Sequence, residues 1–320
     1  MIRAMTNDIA IPEILIADQW HDYALLDSGD LLKLERFGPY SFIRPETQAV
    51  WKPRLNASHW QAAHGTFIAS QTGRREAEDD GEGGGWKLRD GLPTDWAIGY
   101  QSLRFRARLT PFRHLGFFPE QASHWDWCAA KIRAANAARS PDSWPRILNL
   151  FAYSGIASLH AAGAGAEVTH VDASKKAIAY AFENRDAAGL QDAPIRFITD
   201  DAMRFVERER RRGRRYDGII MDPPKYGRGP KGEIWRIEED LLPLLAACRD
   251  LLSDTPLFML LTIYAIRASS QAAHYAMREV MANGPMKDGR VTSGELVVAE
   301  AQDNPRIIAQ ANFARWQPAG

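Results

Sequence analysis

From Arg146 to the C-terminus the sequence switches repeatedly between two hydrophobic periods, and that switching constrains the fold more than any other feature. "RILNLFAY" is a short apolar run, "GIASLHAAGAGA" is helix-like, "EVTHVDAS" returns to the strand pattern, and "KKAIAYAFENRDAAGL" is again helical. "PIRFITDD", "AMRFVERERRR", "YDGIIMD", "IEEDLLPLLAACRDLL", "PLFMLLTIYA" and "SQAAHYAMREVMAN" continue the series. Strands alternating with helices build a mostly parallel sheet covered on both faces, because each crossover helix buries its apolar stripe on the sheet. The tail "ELVVAEAQDNPRIIAQANFARW" reads as two strands about an Asp-Asn-Pro turn, expected to add an antiparallel edge.

Upstream the pattern differs. Residues 12–70 read as short extended segments, with a hairpin turn at Asp27-Ser28-Gly29-Asp30 and a second turn at Gly38-Pro39. "GRREAEDDGEGGGW" reads as a loop or disordered connector. In "WAIGYQSLRFRARLTPF" alternation resumes, with Leu103, Phe105 and Ala107 on one side and Arg104, Arg106 and Arg108 on the other. "PEQASHWDWCAAKIRAANAA" reads as a helix with Pro119 in its first turn. The expected organisation is a small β-rich unit over residues 1–110, a candidate for substrate recognition, and an α/β domain over residues 111–320.

Ligands of open α/β sheets bind at the carboxyl ends of the strands. Here the first strand of the series ends in "NLFAYSG", the second in Asp172, the third in Asp200-Asp201 and the fourth in Asp222. Taken singly, each acid can be a helix N-cap; as a set they describe a pocket. The first loop holds one glycine, Gly155, where a dinucleotide site needs G-x-G-x-x-G to hold a pyrophosphate. A nucleoside without phosphates suits it better: Gly155 for close approach, Asp172 for a ribose diol, Asp201 for an adenine amino group.

"GFFPEQASHWDW", "NLFAYSG", "VDAS", "TDDAMRF" and "MDPPKYGRGPKGEIW" together resemble a class I S-adenosylmethionine-dependent methyltransferase with a Rossmann-like fold, over about residues 110–320. The group resembled contains the large-subunit ribosomal RNA cytosine-5 methyltransferases and their uncharacterised relatives. The resemblance implies S-adenosylmethionine as cofactor. It implies that Phe118 and Gln121 wall it, Gly155 lies under its methionine portion, Asp172 holds its ribose, and Asp201 with Ala202 flanks its adenine. Asn149, Tyr153, Ser154, Ala173, Asp222 and Pro223 complete the implied contacts. Read without the resemblance, "FFPEQ" is a helix entry with core aromatics and Asn184 an exposed helix residue.

In "MDPPKYGRG", Asp222 precedes two prolines, which push it to an extended conformation at the strand tip. The carboxylate and the carbonyls that follow then form a row of acceptors for the hydrogens of an amino group. Base and amide N-methyltransferases resemble this, with an aromatic residue next; here Lys225 takes that place and Tyr226 follows. Asp222, Lys225 and Tyr226 are the candidate catalytic residues.

Cytosine-5 chemistry needs a cysteine that adds to the ring. At the matching place, "LFMLLTIYAIRASS", Thr262, Ile263 and Tyr264 stand instead. The two cysteines, Cys128 and Cys248, lie in helical segments and read as buried hydrophobes. Transfer to nitrogen, or less favourably oxygen, is the expectation. The 40 basic and 40 acidic residues cancel, so any nucleic-acid contact must come from local patches. "RFVERERRRGRR" and "KYGRGPKGEIWR" are such patches, the second with Tyr226 and Trp235 interleaved, and RNA, ribosomal above all, is the expected partner. A protein side chain or small molecule is the alternative. No metal ligand spacing, no run of about 18 apolar residues and no secretory pattern is read, so a cytoplasmic setting is expected.

Overall fold

The computed structural model describes residues 10–69, 84–138, 143–264, 269–283 and 288–319. In chain order, β1 (Glu13–Ile16) precedes a meander of β2 (Tyr23–Gly29), β3 (Leu32–Phe37) and β4 (Tyr40–Pro45). A short helix, α1 (Ala57–Gln61), leads to β5 (Gly65–Ala69), which with β6 (Gly84–Leu88) completes a five-stranded sheet. β7 (Asp95–Tyr100) and β8 (Leu103–Arg108) form a separate hairpin.

The expected turns are present with one shift. The β2–β3 turn falls at Asp30 and Leu31, whose φ values are 50° and 65°. Asp27 and Ser28 remain in the strand because both are buried and bonded: the Asp27 carboxylate accepts the N–H groups of Arg54 and Leu55. Gly38-Pro39 joins β3 to β4, and Gly38 has the positive φ, 62°, that such a turn uses. Residues 73–83 of the expected connector lie outside the described residues, and its last three, Gly84, Gly85 and Trp86, are not loop but the start of β6, paired with β5.

The second half alternates as the periodicity requires: α2 (Ala122–Ala138), β9 (Arg146–Leu150), α3 (Ile156–Gly163), β10 (Glu167–Asp172), α4 (Lys175–Ala187), β11 (Ile195–Thr199), α5 (Ala202–Arg211) and β12 (Gly218–Met221). A two-stranded flap, β13 (Tyr226–Arg228) and β14 (Ile234–Arg236), interrupts the series where only a loop was expected. Then come α6 (Ile237–Arg249), β15 (Phe258–Ile263), α7 (Ser270–Ala282), β16 (Arg290–Ala299) and β17 (Ile307–Gln317).

The large sheet runs β1-β16-β17-β15-β12-β9-β10-β11, and only β17 is antiparallel to its neighbours. β12 and β15 are buried at every position, as strands covered on both faces should be. The tail hairpin is present, but it is not the edge: β17 inserts between β15 and β16, and β1 pairs in parallel outside β16.

β1 therefore belongs to the large sheet, not to the N-terminal unit. The β7–β8 hairpin also leans on the α/β half. Arg108 lies over the Tyr180 ring at 4.3 Å, and the Tyr180 hydroxyl donates to the Arg106 carbonyl at 2.6 Å. Asn184 is fully buried rather than exposed, accepting from Arg106 N–H at 3.0 Å and donating to the Ser154 carbonyl at 2.9 Å. One apolar cluster runs from Tyr23, Phe37 and Ile98 through Phe117 and Trp125 to Leu159, so the two halves share a core.

Candidate active site

A cavity of about 440 Å³ opens over the carboxyl ends of β11, β10, β12 and β15 and the loop after β9. Asp172 ends β10. Its Oδ2 accepts the Tyr153 N–H at 2.9 Å and its Oδ1 the Ser174 N–H at 2.8 Å. A carboxylate offers about four lone-pair sites, so this one can still accept two hydroxyls. Burial pushes its carboxyl above the ordinary value while the two amides pull it back.

The loop that brings Tyr153 to Asp172 is unusual backbone. Phe151 and Tyr153 have φ of 55° and 45°, a region that costs a residue with a side chain on the order of 1–3 kcal/mol. Gly155, with φ of 86°, caps α3. It does not line the cavity; a Cβ there would meet Ala181 Cβ at 3.0 Å and His170 Cε1 at 3.4 Å. The close approach it permits within the fold is of the start of α3 to α4 and β10.

Asp201 caps α5, Oδ1 accepting the Arg204 N–H at 3.0 Å, and also lines the cavity, so the two expected readings coexist. Ala173, Ala202, Pro223 and Phe118 are in the cavity wall. Asn149 and Ser154 face a smaller recess of about 40 Å³ that also touches Gln121 and Asp222. Asn149 Nδ2 is engaged with Ser158 Oγ at 2.9 Å.

At the tip of β12, Asp222 Oδ2 accepts from Gln121 Nε2 at 2.6 Å, and the same nitrogen reaches the Tyr264 hydroxyl at 3.1 Å. Tyr264 donates in turn to Glu120 Oε1 at 2.9 Å. Gln121 is thus a partner of Asp222 and lines the smaller recess, not the main cavity. Burial raises the Asp222 carboxyl to about 7; Gln121 opposes the shift and Glu120 adds to it. Burial likewise raises Glu120 and holds the Tyr264 phenol well above its usual value. Tyr264 and Glu120 were not legible as site residues: the first showed only as the absence of a cysteine, the second as an acid early in a helix.

The row of acceptors is shorter than expected, since the Pro224 carbonyl is taken by Trp235 Nε1 at 2.7 Å. Trp235 is buried against Phe151, 5.0 Å between rings, and is not displayed for a base. Lys225 and Tyr226 do not line the cavity; Tyr226 pairs with Arg236 across the flap, and Arg228 faces the cavity instead. The β-rich unit also contributes a wall. Lys33 donates to Gln310 Oε1 at 2.7 Å, and Arg44 grips Glu35 through Nε at 2.6 Å and Nη2 at 2.8 Å. Burial works against the Glu35 carboxylate, but Arg44 and Lys33 bring it down to about 2.

The arginine helix is largely self-paired. Arg204 bonds Glu233, Arg208 bonds Asp200, Arg210 pairs with Asp250 and Arg212 with Glu209. Neither cysteine reaches the cavity: Cys128 and Cys248 are buried in separate apolar clusters, and burial pushes the Cys128 thiol up to about 12 and Cys248 further. Among the described residues no group of three or more His, Cys, Asp or Glu could hold a metal, and no helix is long and apolar enough to cross a membrane.

Residues 46–255 match the family model for S-adenosylmethionine-dependent methyltransferases. A crystal structure of a SAM-dependent methyltransferase from Agrobacterium tumefaciens is similar at TM-score 0.87 and 44% identity, covering 97% of this chain and 94% of that one. Ribosomal RNA large subunit methyltransferase K/L of Shewanella baltica is 40% identical over 112 residues, 34% of this chain. Ribosomal RNA large subunit methyltransferase I of Aeromonas salmonicida is 28% identical over 166 residues, 50% of this chain. The matched stretches span 15% and 39% of those two relatives' own lengths.

Proposed function

The chain belongs to the S-adenosylmethionine-dependent methyltransferase family, and from that premise we propose that it methylates a nucleobase nitrogen in RNA, ribosomal RNA above all. The donor set fits the cofactor. Asp172 keeps lone pairs for a ribose diol, Asp201 stands at the next strand end for an amino group, and Phe118 offers an apolar wall. Ala173, Ala202 and Pro223 would line the same groove, and Asn149, Tyr153 and Ser154 would hold its inner end. When bound, the cofactor supplies an electrophilic methyl group on a sulfonium.

One observation carries the choice of nitrogen. Asp222 is a half-buried carboxylate fixed at a strand tip by two prolines, with one oxygen on Gln121 and no thiol in the cavity beside it. Among the described residues nothing is bonded to its Oδ1. That oxygen can accept an N–H of the acceptor, which aims the nitrogen lone pair away from Asp222 and into the cavity. A nitrogen that gains a methyl group must shed a proton, and a carboxylate with a value near 7 can take it. A thiolate that adds to cytosine has no counterpart here.

RNA as acceptor rests on the names of the relatives and on Arg228, an exposed cation at the cavity with no ionic partner among the described residues. The test is single-turnover transfer from labelled S-adenosylmethionine onto large-subunit ribosomal RNA from a strain lacking the gene. Asp222→Ala should lose about 10²-fold or more in rate with cofactor affinity kept. A wild-type rate in that variant would reject the assignment.

A further inference from the structure

The turn Pro119–Gln121 is a short 3-10 segment in which all three residues are buried, the polar Glu120 and Gln121 included. Buried polar side chains need partners, and these two find theirs on different strands. Gln121 Nε2 is shared between Asp222 Oδ2 at 2.6 Å and the Tyr264 hydroxyl at 3.1 Å. An amide nitrogen only donates, so Tyr264 oxygen must accept there and turn its own proton elsewhere. That proton goes to Glu120 Oε1 at 2.9 Å. The chain of bonds therefore has one direction: Gln121 donates to Asp222 and to Tyr264, and Tyr264 donates to Glu120.

The turn itself is held from the N-terminal side. Trp20 Nε1 donates to the Pro119 carbonyl at 3.0 Å, and the Trp20 ring packs on Tyr100 and Phe117 at 4.6 and 5.7 Å. Tyr264 is braced separately by Phe118, 5.1 Å between rings. Lys33 and Arg44 line the same cavity as Glu120 and lie close enough for their charges to favour its ionised form.

We propose that Trp20, Glu120, Gln121 and Tyr264 are positioning residues for methyl transfer, which fix Asp222 Oδ2 so that Oδ1 alone is presented to the acceptor. The proposal rests on Asp222 being the group that orients the acceptor. It gives the N-terminal segment a part in the transfer step itself, since the anchor of the turn is Trp20. A free carboxylate rotates about its last bond and presents either oxygen; one held through Gln121 presents a single oxygen at a fixed angle. Misplacement of such a group by a fraction of the reacting distance lowers rate without touching cofactor affinity.

Tyr264→Phe removes a single hydroxyl and should leave the fold intact. In the labelled-transfer assay on large-subunit ribosomal RNA it should lower kcat about tenfold or more, while the calorimetric Kd for S-adenosylmethionine stays within about twofold. Glu120→Gln keeps an acceptor oxygen for Tyr264 and should retain most of the rate that Glu120→Leu loses, a rescue that a packing role would not produce. Wild-type kcat in Tyr264→Phe overturns the proposal while slow Asp222→Ala keeps the role of Asp222; wild-type rates in both overturn that role as well. A second arm needs no acceptor. In a crystal structure of Tyr264→Phe with S-adenosylhomocysteine, Gln121 or Asp222 should leave the positions they hold in the parent chain. Retention of the Gln121–Asp222 bond at its present 2.6 Å would overturn the proposal even if no RNA substrate were found.

Discussion

Asp172 and Asp222 are both carboxylates at strand ends, yet their surroundings set them to different work. Asp172 accepts two backbone amides, which favour its ionised form against burial and suit it to accept hydroxyls. Asp172→Ala should weaken S-adenosylmethionine binding by about 1.5–3 kcal/mol, the range for hydrogen bonds to a charged group, as read by calorimetry. Asp222 has one side-chain donor and sits at about 7, above its ordinary 3.8. Only its ionised form accepts and takes a proton, so kcat should rise with pH through about 7 and level above it. Asp222→Asn should flatten that limb. The sign for stability is opposite. A carboxyl raised in the fold favours the protonated state, so its contribution is present below about 4 and lost as pH rises through 7. The Asn variant should therefore melt higher than wild type at pH 8 and no higher at pH 4. Both acids were legible as strand-end residues, and the tip of Asp222 followed from its two prolines. The Gln121–Tyr264–Glu120 bonds were not, because no spacing in the chain brings residues 121, 222 and 264 together; only the sheet order does.

Among elements, both basic patches were expected to meet nucleic acid, but of the two only the flap β13–β14, and not the helix α5, brings an arginine to the cavity. α5 starts at the rim with Asp201 capping it and runs back about 15 Å, at 1.5 Å per residue, toward the amino ends of the strands. Arg211 and the residues after it are thus carried away from the cavity, and Arg212 is paired with Glu209. The flap keeps Arg228 at the cavity. Charge reversal at Arg211 and Arg212 should leave the salt dependence of RNA binding unchanged. Arg228→Glu should reduce the slope of log affinity against log salt by about 0.7 for a single-stranded contact, measured by filter binding across a salt series; an unchanged slope would remove the flap from the RNA surface. The alternation of strands and helices was legible because each period persists for several residues. The flap was not: its strands are three residues each, around a Gly-Pro-Lys-Gly turn, and pairing across such short segments leaves no periodic trace.

At the scale of the whole molecule, a change of hydrophobic pattern near residue 110 was legible in the sequence, but not the way the segments on either side of it join. β1 leaves its unit for the far edge of the large sheet, and Asn184 bonds across the junction. A buried core shared by both halves has a consequence for acid stability. His160 and His170 are buried and neutral, held down to about 3 mainly by burial, and His124 is held well below its ordinary value by burial and by Arg315. A histidine lowered in the fold takes its proton only on unfolding, so stability falls as pH drops below about 6.5 and continues to fall toward 3. Each such group can contribute up to about 1.4 kcal/mol per pH unit in that window. Denaturant midpoints should therefore decline steeply from pH 6.5 to 4, in one transition that includes both halves. Two resolved transitions would contradict the shared core.

The central claim is that this chain transfers a methyl group to nitrogen without a thiol. The most direct measurement digests RNA methylated in vitro from labelled S-adenosylmethionine to nucleosides and identifies the labelled product by mass spectrometry. It is run in parallel for the parent chain and for the double variant Cys128→Ser, Cys248→Ser. The predicted result is an N-methylated nucleoside, made at a similar rate by both proteins. A 5-methylcytidine product, or loss of turnover in a folded cysteine-free variant, would contradict it.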